Sequence, residues 1–206
     1  TSFVPPPPPP PARAPPPPPP QAGPRLGAGT RWFPPPHGGR PGWSGPAPIE
    51  STVDDTMTKG QVSVARSGNI YFSGRVLTER TPAVWICRYA DGRYAPPAKL
   101  TGPIADVPLL VDPWIDPDER FLLVSCAPPE GPPMLTDIGI SYRQPDGSWS
   151  APVRLGSAVN TEAFERFPSL SRDGRFLFFI RSTSEQFVGD QAHFYWVDAK
   201  ALGAAF

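Results

Sequence analysis

Residues 173–180 run from a tight-turn signal, Asp173-Gly174, through Arg175 into five consecutive apolar side chains: Phe176, Leu177, Phe178, Phe179 and Ile180. A run this short, bounded by turn residues and rich in aromatics, suits a β-strand. Asp-Gly readily adopts the positive φ values that a tight hairpin turn demands. Leu170 and Pro168 lie on the other side of the turn, so residues 165–182 are expected to form a hairpin. A strand without polar alternation sees protein on both faces. Stacked sheets provide that environment, and one sheet facing water does not.

The same unit recurs upstream. Val64, Ile115 and Leu170 each precede a turn, at Ser67-Gly68, Asp118-Glu119 and Asp173-Gly174, and each turn leads into an apolar strand. The three anchors are 51 and 55 residues apart. A second half-unit repeats as well. Val84, Trp85, Ile86 and Cys87 are followed by Asp91-Gly92, Tyr94, Pro97 and Leu100. Ile138, Gly139, Ile140 and Ser141 are followed by Asp146-Gly147, Trp149, Pro152 and Leu155. Trp43, Pro46, Ile49 and Val53 match Trp149, Pro152, Leu155 and Val159 at one constant offset, so globular sequence is expected to begin near Gly42. About four strands in roughly fifty residues is the period of a propeller blade. The expected fold is therefore an all-β propeller of about three four-stranded blades, an incomplete ring, over residues 42–206.

Residues 1–41 are a different kind of chain. More than half of the 34 prolines lie before residue 49, and residues 5–11 and 15–20 are dense in them. Proline has no N–H to give to a helix or ladder, so polyproline II or disorder is expected. A tether is the simple reading of this segment. Arg13 between the runs meets the loose pattern of an SH3-type ligand, as almost any such tract does.

At this point the residues resemble a known family. Asp137-Ile138, Asp146-Gly147, Trp149, Pro152, Leu155-Gly156 and Val159-Asn160-Thr161 fit the D-I-Y and D-G-x-W-x-x-P-x-x-L-G-x-x-V-N-T elements of bacterial WD40-like repeat proteins of the TolB-like propeller type. The resemblance covers Trp43 to about Leu202. It implies a propeller, often six-bladed, exported to the periplasm or cell exterior and acting in part as an interaction platform. His193 departs from that pattern, standing where the last D-I-Y element has aspartate. Ser182 departs too, lacking the Asn-Arg-rich turn that follows it in the family.

Charge and motif content bound the chemistry. Nineteen basic and nineteen acidic residues give a formal net charge of zero, which argues against a nucleic-acid surface. Nothing approaches a membrane-spanning apolar run. Cys87 and Cys126 are expected to be buried free thiols. A nucleophile elbow, G-x-S-x-G, is absent, and Gly42-Trp43-Ser44-Gly45 has the wrong spacing. Asp146 and Gly147 are adjacent, unlike a sialidase Asp box. His37 and His193 are too few for a multi-histidine metal site, and His193 reads as a packing or hydrogen-bonding residue. Asp112, Asp116, Asp118 and Glu119 could in principle gather around calcium, but turn chemistry accounts for Asp116, Asp118 and Glu119. Glu162 and Glu165 read as a solvated connection between blades. Arg75, Arg80, Arg88 and Arg93 form the densest basic group, and Trp85, Arg88 and Tyr94 could face either a funnel or a neighbouring blade.

No catalytic, cofactor or metal residue is assigned. The expected function is a non-catalytic binding or scaffold module that docks a protein, peptide or glycan in the cell envelope. The alternative is the propeller part of a larger enzyme, hydrolase or lyase, whose catalytic residues lie outside this chain. Three blades would leave an open apolar face at each end, so either a longer protein or self-association of two copies into a ring is expected.

Overall fold

Three antiparallel hairpins organise the chain, and each closes through the same backbone bonds. The computed structural model describes residues 49, 56–128, 132 and 135–202. β1 (Met57–Val64) pairs with β2 (Ile70–Val76). Further along the chain, β7 (Leu110–Ile115) pairs with β8 (Phe121–Cys126), and β11 (Phe164–Leu170) with β12 (Phe176–Ser182). In the turns, Gly68, Glu119 and Gly174 donate N–H to the carbonyls of Ala65, Asp116 and Ser171. All three donors have positive φ: 90°, 56° and 72°. Glycine adopts this conformation freely, whereas at Glu119 it costs about 1–2 kcal/mol.

Each hairpin grows outward into a sheet. β3 (Ala83–Cys87) and β6 (Ala98–Lys99) complete the first, in order β1-β2-β3-β6. A small hairpin, β4 (Tyr89–Ala90) with β5 (Arg93–Tyr94), turns at Asp91-Gly92 between them. The second sheet adds β9 (Asp137–Tyr142) and β10 (Val153–Arg154), in order β7-β8-β9-β10. The third adds only β13 (Ala192–Asp198), in order β11-β12-β13. Four strands are thus met in two sheets, and the third has three among the described residues. The expected first strand-like segment, Trp43 to Val53, lies almost wholly outside the described residues, as do the proline runs. Among the described residues three short 3-10 segments occur, at Pro103–Ala105, Gly189–Gln191 and Ala199–Leu202. No helix among the described residues is long and apolar enough to cross a membrane.

The sheets stack through their first strands. β7 packs against β1, β2 and β3, and β11 packs against β7, β8 and β9. Tyr71, Val84, Ile86, Leu110, Ile115, Leu122 and Val124 fill the first interface. Phe121, Leu123, Ile138, Ile140, Leu177 and Phe179 fill the second. Full burial of each such side chain contributes about 1.5–3 kcal/mol. Polar groups tie the same interfaces. Ser63 Oγ accepts from the Ile115 N–H at 3.0 Å, and Ser73 Oγ from the Asp112 N–H at 2.7 Å.

Three expectations need correction. β12 is not buried on both faces: Leu177 and Phe179 are, but Phe178 on the opposite face is 43% exposed. β8 is the strand enclosed on both sides, with all six residues buried. Glu165 is not part of a solvated connection; its side chain is fully buried, whereas Glu162 is exposed. His193 lies exposed on β13 rather than packed. Cys87 and Cys126 are buried, and neither is in a disulfide among the described residues.

Candidate functional site

The first strand of each sheet is interrupted at one place. Register shifts fall between Lys59 and Val62, Val111 and Trp114, and Arg166 and Ser169. Two of the shifted residues, Asp112 and Phe167, have positive φ of 53° and 59°. Bulges of this kind re-aim side chains. The Asp112 carboxylate, almost fully buried, meets the Arg166 guanidinium in a two-point contact: Nε–Oδ2 2.7 Å and Nη2–Oδ1 2.9 Å. The pair links the second sheet to the third. Its fork-on-fork geometry holds the guanidinium in one plane.

That plane is a platform. Arg166 lies over the rings of Phe167 and Phe187, at 4.7 and 5.5 Å from their centroids. Phe187, on the β12–β13 connection, meets Phe164 and Phe167 edge-on at 6.2 and 5.9 Å. Phe187 also has positive φ, 52°. Bulky residues in this backbone region are held by their surroundings, and such strain gathers where a surface is shaped for a ligand. A second guanidinium behaves likewise. Arg181 donates to buried Glu165 at 2.8 Å and to the Val159 carbonyl at 2.9 Å, and stacks on Tyr195 at 4.6 Å. Thr161 donates its hydroxyl to the same carboxylate at 2.6 Å. Beside Thr161 and Phe164 an open hollow of about 460 Å³ is lined by these two with Glu162, Ala163 and Thr183. The ledge offers arginine edges and aromatic faces, which suit carboxylates, planar groups and sugar rings.

The acidic residues of the sequence reading go to four separate partners. Asp112 binds Arg166. Asp116 receives Arg120 at 2.8 and 2.9 Å and the N–H groups of Asp118 and Arg120. Burial raises the Asp116 carboxyl, but these bonds outweigh it and hold it below its ordinary value. Asp118 pairs with Arg66 on the first sheet's turn. Glu119 reaches across the interface and accepts from Tyr71 at 2.6 Å, Ser67 at 2.9 Å and Asn69 at 3.0 Å. Burial acts to raise its carboxyl, and the three donors bring it below the ordinary range. Among the described residues no group of three or more histidine, cysteine or carboxylate side chains is placed to hold a metal ion. The four act as connectors of turns and sheets.

The basic group Arg75, Arg80, Arg88 and Arg93 does not converge. Arg75 donates to the Glu79 carbonyl at 2.8 Å, Arg80 borders an open cleft of about 400 Å³, and Arg88 and Arg93 are exposed. Trp85 donates its indole N–H to the Gly74 carbonyl at 3.0 Å, and Tyr94 its hydroxyl to the Gly68 carbonyl at 3.2 Å, so both serve the first sheet. Sequence reasoning missed Arg166, Phe167, Phe187 and Arg181. Neither spacing nor residue type marks a bulge, and Phe187 reaches the platform only through the fold.

One buried acid stands apart. Asp137 is 1% exposed and ion-paired with Arg154, but neither carboxylate oxygen has an aligned hydrogen bond. Burial pushes its carboxyl up against the opposing pull of Arg154. It lies beside Cys126, whose thiol is pushed up to about 12 by burial first and then by Asp137. Such a thiol is inert at neutral pH.

No family model matches the chain, and no curated protein matches it. Among solved structures it is similar to TolB from Acinetobacter baumannii, at 12% identity and a TM-score of 0.40, over 72% of this chain and 31% of that one. It is also similar to a hypothetical selenium-binding protein from Sulfolobus tokodaii, at 15% identity and a TM-score of 0.42, over 68% of this chain and 41% of that one. The chain spans less than half the length of either structure.

Proposed function

We propose that the chain is the three-bladed arc of a propeller-type interaction module, and that it docks a protein, peptide or glycan through the ledge around Arg166. One observation carries the reading. Arg166 and Arg181 are each held by a buried carboxylate and laid on aromatic rings, so their exposed edges are fixed before any ligand arrives. Preorganised groups lose little freedom on binding, which favours recognition. The radial order of the sheets, with β1, β7 and β11 as the inner strands, supports the propeller reading. The envelope location and the kinship with TolB-like proteins rest on the sequence resemblance.

The test is a binding screen of the immobilised full chain against acidic peptides and oligosaccharides, repeated with Phe187→Ala and Arg166→Lys. Binding that falls about tenfold or more in both variants, with unchanged circular dichroism, supports the ledge. Binding indifferent to both variants, or turnover of a bound oligosaccharide or peptide, overturns it.

A further inference from the structure

Guanidinium edges alone would suit a carboxylate, but the surroundings of the Arg166 ledge decide against one. Two segments build the ledge, residues 159–167 and 181–193, together with Asp112. They carry five carboxylates, Asp112, Glu162, Glu165, Glu185 and Asp190, against the two guanidiniums of Arg166 and Arg181. Asp112 and Glu165 are buried and taken up by those guanidiniums, so each arginine is already neutralised. Glu162 lines the hollow, and Glu185 and Asp190 lie on the connection that carries Phe187; all three are exposed. With His193 counted as neutral, the ledge has a formal excess of three negative charges. An incoming anion meets like charge there, which lowers its affinity.

The hydrogen-bonding inventory narrows the ligand further. Arg166 donates Nε and Nη2 to Asp112, and Arg181 donates Nε to Glu165 and Nη2 to the Val159 carbonyl. The two side chains are 27% and 23% exposed, and the Nη1 group that remains on each is a donor only. The Glu162 carboxylate at the hollow is an acceptor only. Donor-only and acceptor-only groups on one surface fit hydroxyls, because each hydroxyl both accepts and donates. A lysine or arginine side chain brings donors alone, and a carboxylate brings acceptors alone.

An extended peptide is recognised through open backbone groups, and those around the hollow are engaged. Thr161 donates its N–H to Glu165 at 3.2 Å, Ala163 to Thr161 Oγ1 at 3.2 Å and Thr183 to the Gln191 carbonyl at 3.0 Å. Side chains are therefore what the ledge presents. Half-buried Phe164 and Phe187 add apolar ring surface for the C–H face of a sugar ring.

We infer that the ledge takes a neutral oligosaccharide and turns away uronic acids and acidic peptides. The inference rests on the docking role proposed above and names its ligand class. Sugar hydroxyls accept from Arg166 and Arg181 and donate to Glu162, while one ring face lies on Phe187. The ligand carries no charge, so binding is insensitive to salt.

The experiment is surface plasmon resonance on the immobilised 206-residue chain. The probes are cellohexaose, chitohexaose and maltohexaose, a hexamer of galacturonic acid, a hexaglutamate peptide and a neutral serine- and threonine-rich peptide. At least one neutral hexasaccharide is expected to bind about tenfold or more tighter than the galacturonate and both peptides, equally at low and high salt. Phe187→Ala lowers that binding about tenfold. A triple variant, Glu162→Gln with Glu185→Gln and Asp190→Asn, brings galacturonate to within about threefold of the neutral sugar, because the like charge is gone. These three side chains are exposed, so the circular dichroism of the triple variant matches the unmodified chain. Galacturonate or either peptide binding as tightly as the neutral sugars, and lost in Phe187→Ala, overturns the inference and leaves docking at the ledge standing. So does a preference unchanged in the triple variant. Neutral sugar binding that Phe187→Ala does not alter, or no binding by any probe, overturns both.

Discussion

β8 and β12 occupy the same place in their sheets and are equally apolar, yet only one of them is interior. Phe121, Leu122, Leu123, Val124, Ser125 and Cys126 are all buried. In β12, Leu177 and Phe179 are buried on one face while Phe176, Phe178 and Ile180 remain partly or largely open on the other. Nothing in either strand accounts for this. Among the described residues β8 lies between a sheet on each side, whereas β12 meets a neighbouring sheet on one side only. Apolar content records what a strand is built to touch; burial records what is there to be touched.

The largest separation between the two strands should appear on truncation. Leu123→Ala removes a fully buried side chain and should destabilise the chain by about 2–5 kcal/mol in urea unfolding. Phe178→Ala in the monomeric chain should cost about 1 kcal/mol or less, because much of the ring already meets water. Equal losses in the two variants would mean that β12 is covered in the monomer, and the comparison would fail.

A smaller effect is expected at the turn of the second hairpin. Glu119 joins it to Tyr71, Ser67 and Asn69 of the first sheet, whereas Asp173 bonds to Ser171 and Arg175 within its own turn. Glu119→Gln should cost about 1–3 kcal/mol, as expected when hydrogen bonds to a charged acceptor are weakened. Asp116 and Glu119 have depressed folded-state values, so their contribution is present above the ordinary carboxylate range. It is lost as pH falls through their lowered folded values. Acid titration of the folded chain should therefore show Glu119→Gln converging on the unmodified protein as pH drops. A gap that persists at the lowest pH would assign the loss to packing.

Asp137 behaves in the opposite sense. Its folded value is raised, so the ionised form is the disfavoured one in the folded state, and the penalty is relieved as pH falls through that raised value. Asp137→Asn should stabilise the chain at neutral pH by about 1 kcal/mol, with the advantage shrinking in acid. Destabilisation at neutral pH would mean that the Arg154 pair is worth more than the burial of the carboxylate. The smallest effect concerns Cys126. In the folded chain its thiol should resist iodoacetamide at mildly alkaline pH and react only after unfolding. Rapid labelling of the native chain would show that the β8–β9 edge opens.

The strands of this protein were largely legible in the chain. Turn pairs such as Asp173-Gly174 fall where positive φ is needed, and the apolar runs after Ile70, Phe121 and Phe176 are strands β2, β8 and β12. Even Glu119 in a glycine position could be aligned, because hairpin spacing is a local property. The ledge around Arg166 was not legible. Asp112 and Arg166 are 54 residues apart and meet only because β7 and β11 lie side by side. The burial of Glu165 was equally hidden, since it depends on Arg181 and Thr161 folding over it.

By itself, then, the sequence determined hairpins, their period and their all-β character, since turn chemistry and side-chain alternation act between near neighbours. Only the tertiary structure decided which faces are interior, which carboxylates find guanidinium partners and which arginines are held ready at the surface. Those outcomes depend on which sheet stacks on which, and stacking brings together residues that no local pattern connects.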